Sequence, residues 1–234
     1  MTRFERYLLG KTVLFDVDGT IAETEGEGHL PAFNAAFKEH SIPWEWTRSQ
    51  YGELLKITGG YERMLAHAQA VGDPIGTTQE GQTLLRQVHR RKNELYAERL
   101  AAGLIPPRRG LVELLRTISE NHGRWAVVTT TSQKNWDELW IHTVSRAGSV
   151  APPLFSVCGE DVGRKKPDPE AYAVALKRLG CAADQCVAIE DSENGLGAAL
   201  GAGIQTVVVR SQFFGHQAFD GAACVVDELS DLIK

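Results

Sequence analysis

Short β-branched runs alternate with longer stretches of helical spacing through the second half of the chain, and this alternation limits the fold more than any other feature. A helix that follows each strand carries the chain back to the same edge, so the strands pair in parallel, and the expected class is α/β, a parallel sheet covered by helices on both faces. The predicted strands are 12–15, 125–129, 155–158, 187–189, 206–209 and, at the edge, 224–226. Helical spacing is plain at 111–119, where Leu111, Leu114, Leu115 and Ile118 share one stripe. The stretch 194–203 is too rich in glycine for a strong isolated helix, so its small residues suit close packing on the sheet.

Between about Glu23 and Gly103 the alternation stops. Predicted helices at 32–40, 50–56, 62–70 and 78–100 are separated by breakers at Pro43, at Gly59 and Gly60, and at Gly72 to Pro74. The division this implies is a core built from 1–22 and 106–234 and an inserted helical domain over 23–105. At 234 residues the chain has the length of one large domain or of a core with an insertion. The return segment from Gly103 to Pro107 reads as a stiff second linker, so the insertion would hang from two strands of chain, as a lid does.

Composition narrows the function classes. Apolar residues make up 43% and charged residues 24%, ordinary values for a globular protein and unlike disordered or collagen-like chains. No apolar run approaches the roughly 20 residues of a bilayer helix, and the N-terminus lacks the small-residue cleavage site of a secretory signal, so a cytoplasmic protein with no membrane partner is expected. Cys158, Cys181, Cys186 and Cys224 form no C-x-x-C pair and read as reduced thiols. The net charge of −5 argues against nucleic acid as a partner. A small anionic substrate remains open where cations gather, as at Arg90, Arg91 and Lys92 and at Arg164, Lys165 and Lys166.

Four strand ends carry the chemistry. The first strand runs into Asp16, Val17, Asp18, Gly19 and Thr20, at the carboxyl edge where open parallel sheets hold their reactive groups. Asp16 and Asp18, two apart in extended chain, point to one side and could share a metal or divide nucleophile and acid roles; an ordinary Asp-Gly turn is the plainer alternative. The second strand ends in Thr129, Thr130, Thr131 and Ser132, whose hydroxyls and amides suit either a phosphoryl oxygen or a helix N-cap. After the third strand, Lys166 precedes Pro167, which biases it out of helix and lets it aim its ammonium at the same edge; standing alone, the run reads more readily as a solvated basic loop. Glu190 and Asp191 end the fourth strand, and adjacent carboxylates there repel unless a cation joins them, for which Mg²⁺ is the natural candidate.

With these four motifs in order, the chain resembles the haloacid-dehalogenase-like hydrolases over its whole length. The resemblance implies a Rossmann-like core with an α-helical cap. It implies Asp16 as the nucleophile that forms an aspartyl-phosphate, Asp18 as general acid and then base, and Thr129 and Lys166 as holders of the phosphoryl group. Mg²⁺ would sit on Asp16, the Asp18 carbonyl, Asp191 and Glu190.

Further residues are similar to the CbbY-type sugar phosphatases: Glu25, His29, Ala32 to Asn34, Trp44 and Trp46, Tyr51, and the run of Thr58, Gly59, Gly60, Glu62 and Arg63, with Thr129 to Ser132. That group is associated with carbon fixation, in the setting of the Calvin cycle. The implied reaction is hydrolysis of xylulose 1,5-bisphosphate to xylulose 5-phosphate. Glu25, Gly59, Gly60, Glu62, Arg63, His89, Lys92, Thr130 and Thr131 would bind this phosphorylated sugar, in a monomeric enzyme.

On its own, His29 reads as a surface histidine, and Trp44 and Trp46 as core and exposed-face residues rather than a sugar platform. Gly59 and Gly60 suit a helix–helix turn or a phosphate nest equally. Only one or two of Arg90, Arg91 and Lys92 can face a site, because they sit mid-helix. Tyr61 stands where the group usually has lysine, and Leu30 where it has arginine; each removes a cation from the implied bisphosphate site. Two other readings are a β-phosphoglucomutase-type isomerase, which uses the same core, and a catalytically dead binding module. The second is disfavoured because no motif carboxylate is lost.

Overall fold

A computed structural model describes every residue except Thr58. The chain gathers into two compact units, one formed by residues 1–24 with 105–234 and the other by residues 25–104.

The first unit is a six-stranded parallel sheet. Its strands are β1 (Thr12–Phe15), β2 (Arg124–Val128), β3 (Ser156–Val157), β4 (Cys186–Glu190), β5 (Gln205–Val209) and β6 (Cys224–Val226), in the order β3-β2-β1-β4-β5-β6. The all-parallel α/β sheet is the class read from the alternation. Every residue of β1 and β4 is buried, as strands covered on both faces must be.

β1 leads by sequence to β2 on one side, and β4 leads to β5 on the other, so the direction of the crossovers reverses between β1 and β4. In such sheets the crevice at the reversal, outside the carboxyl ends, is where ligands bind. Phe15 pairs with Val127 and Ile189, which brings Asp16, Thr129 and Glu190 to one edge.

Strand ends differ from the sequence reading by a residue or so, most at β3, where 155–158 contracts to Ser156–Val157. Cys158 leaves the ladder because its N–H donates to the Asp161 carboxylate at 2.8 Å.

The helices of this unit are α1 (Arg3–Tyr7), α6 (Leu111–Glu120), α7 (Gln133–Leu139), α8 (Ser145–Ala147), α9 (Glu170–Leu179) and α10 (Glu193–Gly201); those of the second unit are α2 (Leu30–Glu39), α3 (Arg48–Leu54), α4 (Gly60–Ala70) and α5 (Gln79–Ala101). The Leu111, Leu114, Leu115 and Ile118 stripe of α6 is fully buried. One core cluster joins Leu14, Ala126, Val128 and Val157 of the sheet to Ala171, Tyr172 and Ala175 of α9 and Ala198 and Ala199 of α10.

In the helical unit, α2 starts two residues earlier than predicted, because Pro31 is tolerated in a first turn and a π-turn over Glu25–His29 leads into it. α3 also starts earlier, at Arg48: Thr47 and Gln50 form a reciprocal capping box. Trp44 and Trp46 both lie in the core, which corrects the exposed-face reading for one of them. Trp46 packs against Phe33, Phe37 and Tyr51 at ring separations of 4.9, 4.9 and 5.9 Å. Among the described residues no helix is long and apolar enough to cross a membrane.

Candidate active site

Lys166 is the centre of the strand-end cluster. Its ammonium is buried and donates to Asp16 Oδ1 at 2.7 Å, to Glu190 Oε1 at 2.7 Å and to the Val128 carbonyl at 2.8 Å, which uses all three of its protons. Burial opposes its charge, but the Asp16 and Glu190 carboxylates outweigh that penalty and hold its pKa above the ordinary lysine value. Its neighbours Arg164 and Lys165 are exposed, and Arg164 pairs with Asp168 and Glu170. Only one cation of that run therefore enters the cluster.

This loop packs closely on α10 at Gly201, where a Cβ would stand 3.3 Å from the Pro169 ring, tighter than most such contacts, whereas one at Gly197 would make ordinary contact with Pro167 at 3.9 Å.

Three carboxylates crowd this edge. One oxygen each from Asp16, Glu190 and Asp191 lies within 4.8 Å of the others, and all three residues are buried. Burial raises the pKa of each. For Asp16, Lys166 offsets part of the rise; Glu190 is pushed up to about 7; for Asp191, the nearby Asp16 charge adds to the rise. One lysine thus leaves negative charge uncompensated.

Asp191 Oδ2 is buried with no hydrogen-bond partner among the described residues. It also lies 2.0 Å from where a Cβ at Gly19 would stand, and Gly19 has φ +86°. Hard oxygen donors, excess negative charge and an unpartnered buried oxygen are what a divalent cation such as Mg²⁺ requires. The residues present therefore fit that ion.

Asp18 is half-buried and accepts a hydrogen bond from the buried Thr24 hydroxyl at 2.5 Å. Thr129 is buried at the end of β2, and its Oγ1 accepts the Thr131 N–H at 3.1 Å. Ser132 is the N-cap of α7. The hydroxyl run thus divides its work, with Ser132 capping the helix and Thr129, Thr130 and Thr131 turning at the strand end.

Arg108, which no sequence motif singled out, pins the loop after β1. Its guanidinium donates to the Gly19 and Arg210 carbonyls at 2.7 and 2.8 Å and to the Glu23 carboxylate at 2.7 Å.

Glu190 is seated against α10. A Cβ on Gly195 would stand 1.9 Å from Glu190 Oε2 and 2.2 Å from its carboxyl carbon. Gly195→Ala would therefore have to push a buried, hydrogen-bonded carboxylate aside, an overpacking cost of about 1 to 3 kcal/mol that a helix-propensity gain of about 1 kcal/mol only partly offsets. The expected outcome is a fall in kcat/KM of about 10- to 100-fold with a modest fall in Tm; an unchanged rate in the folded variant would remove Glu190 from the site.

The helical unit carries its own polar cluster. Glu25 accepts the Tyr51 hydroxyl at 2.5 Å and lies 3.8 Å from Arg63, whose Nε donates to the Ile57 carbonyl at 2.9 Å. Gly59, with φ +108°, lies against the Glu62 carboxylate, and Gly60 against His89 Nε2. Thr58, which opens that motif, lies outside the described residues.

Lys92 is buried, 2.9 Å from His29 Nδ1, with Phe33 and Tyr96 rings at 4.8 and 5.5 Å. Arg90 is exposed and Arg91 is bound by Glu39, Glu94 and Glu98, which leaves Lys92 as the inward member of the basic run. His29 is buried and stacks on Tyr96 at 4.1 Å, which corrects the surface reading. Burial, and then the Lys92 ammonium, lowers its pKa well below the usual histidine value, so the neutral ring accepts from the lysine. His89 is lowered to about 4 by the same two causes.

Tyr61, which stands where the motif usually has lysine, is met by a cation from α5. Arg86 donates to the Tyr61 hydroxyl at 3.3 Å, with its guanidinium 5.6 Å from the ring centre. Leu30 is buried at the start of α2, so a cation there would need a buried partner.

A parallel sheet whose reversal point holds a buried lysine among three carboxylates defines an enzyme that transfers or hydrolyses an anionic group. The chain belongs to the haloacid dehalogenase-like hydrolases, whose family model matches residues 11–203. It is 40% identical over 225 residues to the plasmid-encoded protein CbbY of Cupriavidus necator, covering 94% of this chain and 86% of that one. It is also 38% identical over 229 residues to CbbY of Cereibacter sphaeroides, covering 95% and 94%.

Among solved structures, a mutant of CbbY from Rhodobacter sphaeroides in complex with xylulose-(1,5)bisphosphate is similar to it at a TM-score of 0.82 and 35% identity. That match covers 94% of this chain and 95% of the other. The chain is a phosphatase of this family.

Proposed function

We propose that the protein is a Mg²⁺-dependent sugar bisphosphate phosphatase that converts xylulose 1,5-bisphosphate to xylulose 5-phosphate. The observation that carries the reaction is the Lys166 ammonium bound at once to Asp16 and Glu190, and the substrate reading is supported by the similarity to the CbbY complex with that bisphosphate.

In this reading an Asp16 carboxylate oxygen attacks phosphorus, and the bond from phosphorus to the sugar oxygen breaks. Asp18 gives its proton to the leaving oxygen, then takes one from the water that hydrolyses the aspartyl-phosphate, releasing phosphate and Asp16. Thr24, bonded to Asp18, holds that carboxyl in place. Lys166, exchanging one of the three hydrogen bonds it makes to Asp16, Glu190 and the Val128 carbonyl for one to the substrate, holds the phosphoryl oxygens together with Thr129, Thr130 and Thr131. Asp16, the Asp18 carbonyl, Asp191 and Glu190 would hold Mg²⁺, which when bound supplies the positive charge that lets a carboxylate approach a dianion. Phosphoryl transfer needs mainly position and charge neutralisation, and both are built into this edge.

The helical cluster of Glu25, Gly59, Gly60, Glu62, Arg63, His89 and Lys92 binds the sugar and its second phosphate. Arg63 and Lys92 supply charge, and Gly59 and Gly60 allow backbone N–H groups to approach an anion. Arg86 stands in for the cation absent at Tyr61. Arg86→Ala is therefore expected to lower kcat/KM about fivefold for bisphosphates and to leave monophosphates unchanged; an equal change on both would assign Arg86 to folding of the helical unit.

The test of the function is a phosphate-release panel in Mg²⁺ covering pentulose bisphosphates, hexose phosphates and small phosphate esters, with products identified. The proposal requires xylulose 1,5-bisphosphate to rank first by kcat/KM and one phosphate to be released. An isomerised sugar phosphate without release would favour the mutase reading.

A further inference from the structure

Tyr172 is a fully buried polar side chain that the mechanism above does not use. It lies near the start of α9, six residues beyond Lys166. Its hydroxyl donates to Glu190 Oε1 at 2.5 Å, and its ring lies 5.2 Å from the Lys166 ammonium. Lys166 donates to the same Oε1 at 2.7 Å, so both acceptor sites of that oxygen are filled, while Oε2 rests against Gly195. Two donors therefore hold Oε1, which leaves Oε2 as the oxygen that Glu190 can offer a cation. A lysine alone would leave the carboxylate free to swing about the ammonium, because a compact cation sets distance more than direction.

We propose that Tyr172 is a positioning residue that fixes the Glu190 carboxylate in the orientation in which it contributes to the divalent-cation site. This rests on the reading that Glu190 belongs to that site. Groups that orient a metal-binding carboxylate typically change metal affinity 10- to 100-fold when removed. The phenol is suited to the task because its ring also faces Lys166, so one side chain orders both the cation and the anion of the pair.

Tyr172→Phe isolates the hydroxyl, since it keeps the ring against Lys166 and the packing of α9. The experiment measures Mg²⁺ affinity by titration calorimetry on the full-length chain, with Tm in parallel. The expected result is about tenfold weaker Mg²⁺ binding in Tyr172→Phe, an unchanged Tm without the ion, and no further weakening when the same change is made in Glu190→Gln. Wild-type affinity in Tyr172→Phe, or an equal loss in the Glu190→Gln background, overturns the inference and leaves Tyr172 as a packing residue. A wild-type protein that does not bind Mg²⁺ overturns the metal reading itself and the inference with it. Should the phenylalanine variant not fold, Tyr172→Met fills similar space without a hydroxyl and is judged by the same affinities.

Discussion

Asp16→Asn is expected to lower kcat by roughly 10³-fold or more, the loss that follows removal of an activated nucleophile. The amide keeps the volume of the carboxyl and cannot form the acyl phosphate. The fold should survive, for a reason visible in the site. Burial raises the Asp16 pKa despite the Lys166 ammonium, so the folded protein pays for the charge at this position. A neutral side chain of the same shape relieves that cost, while Lys166 keeps Glu190 and the Val128 carbonyl as acceptors. Phosphate-release rates together with the Tm check both halves. Near-wild-type kcat in a folded protein free of deamidation would sink the covalent mechanism.

Removal of divalent cations is expected to have an effect of similar size. With excess chelator, hydrolysis should fall to background and return when Mg²⁺ is restored, whereas Ca²⁺ should inhibit, because it takes more ligands in looser geometry. Stability gives an independent reading. Asp16 and Glu190 share one ammonium, with the Asp191 carboxylate close beside them, so an ion bound only by the folded state should raise Tm, and by more as its concentration passes the dissociation constant. Mutation of Asp191 to Asn should abolish most of that shift. Full activity in excess chelator would refute the metal requirement.

Much of the sheet could be read from the sequence because parallel strands buried on both faces are nearly continuous apolar runs, as in β1 and β4. The strand-end chemistry was legible for a related reason: topology alone carries Asp16, Thr129 and Glu190 to one edge once the register is set. What the sequence hid is set by tertiary packing. His29 has no local signature of burial, and it is buried because Tyr96 and Lys92, more than sixty residues away, close around it. Arg86 meets Tyr61 only because α4 and α5 lie side by side. Tyr172 reads as an ordinary helix residue until Glu190 is seen against its hydroxyl. The glycines of α10 were legible as packing residues, but their particular neighbours, Glu190, Pro167 and Pro169, were not.

Passage of one phosphoryl group through Asp16 would leave its mark on the chemical state of that side chain during turnover. Enzyme quenched in acid while hydrolysing a sugar bisphosphate and then reduced with borohydride should yield a peptide in which residue 16 has become homoserine, the reduction product of an acyl phosphate. The conversion should be absent without substrate and absent in Asp16→Asn. Recovery of unmodified Asp16 from enzyme quenched in the steady state, with another residue converted instead, would rule out an aspartyl-phosphate at this position.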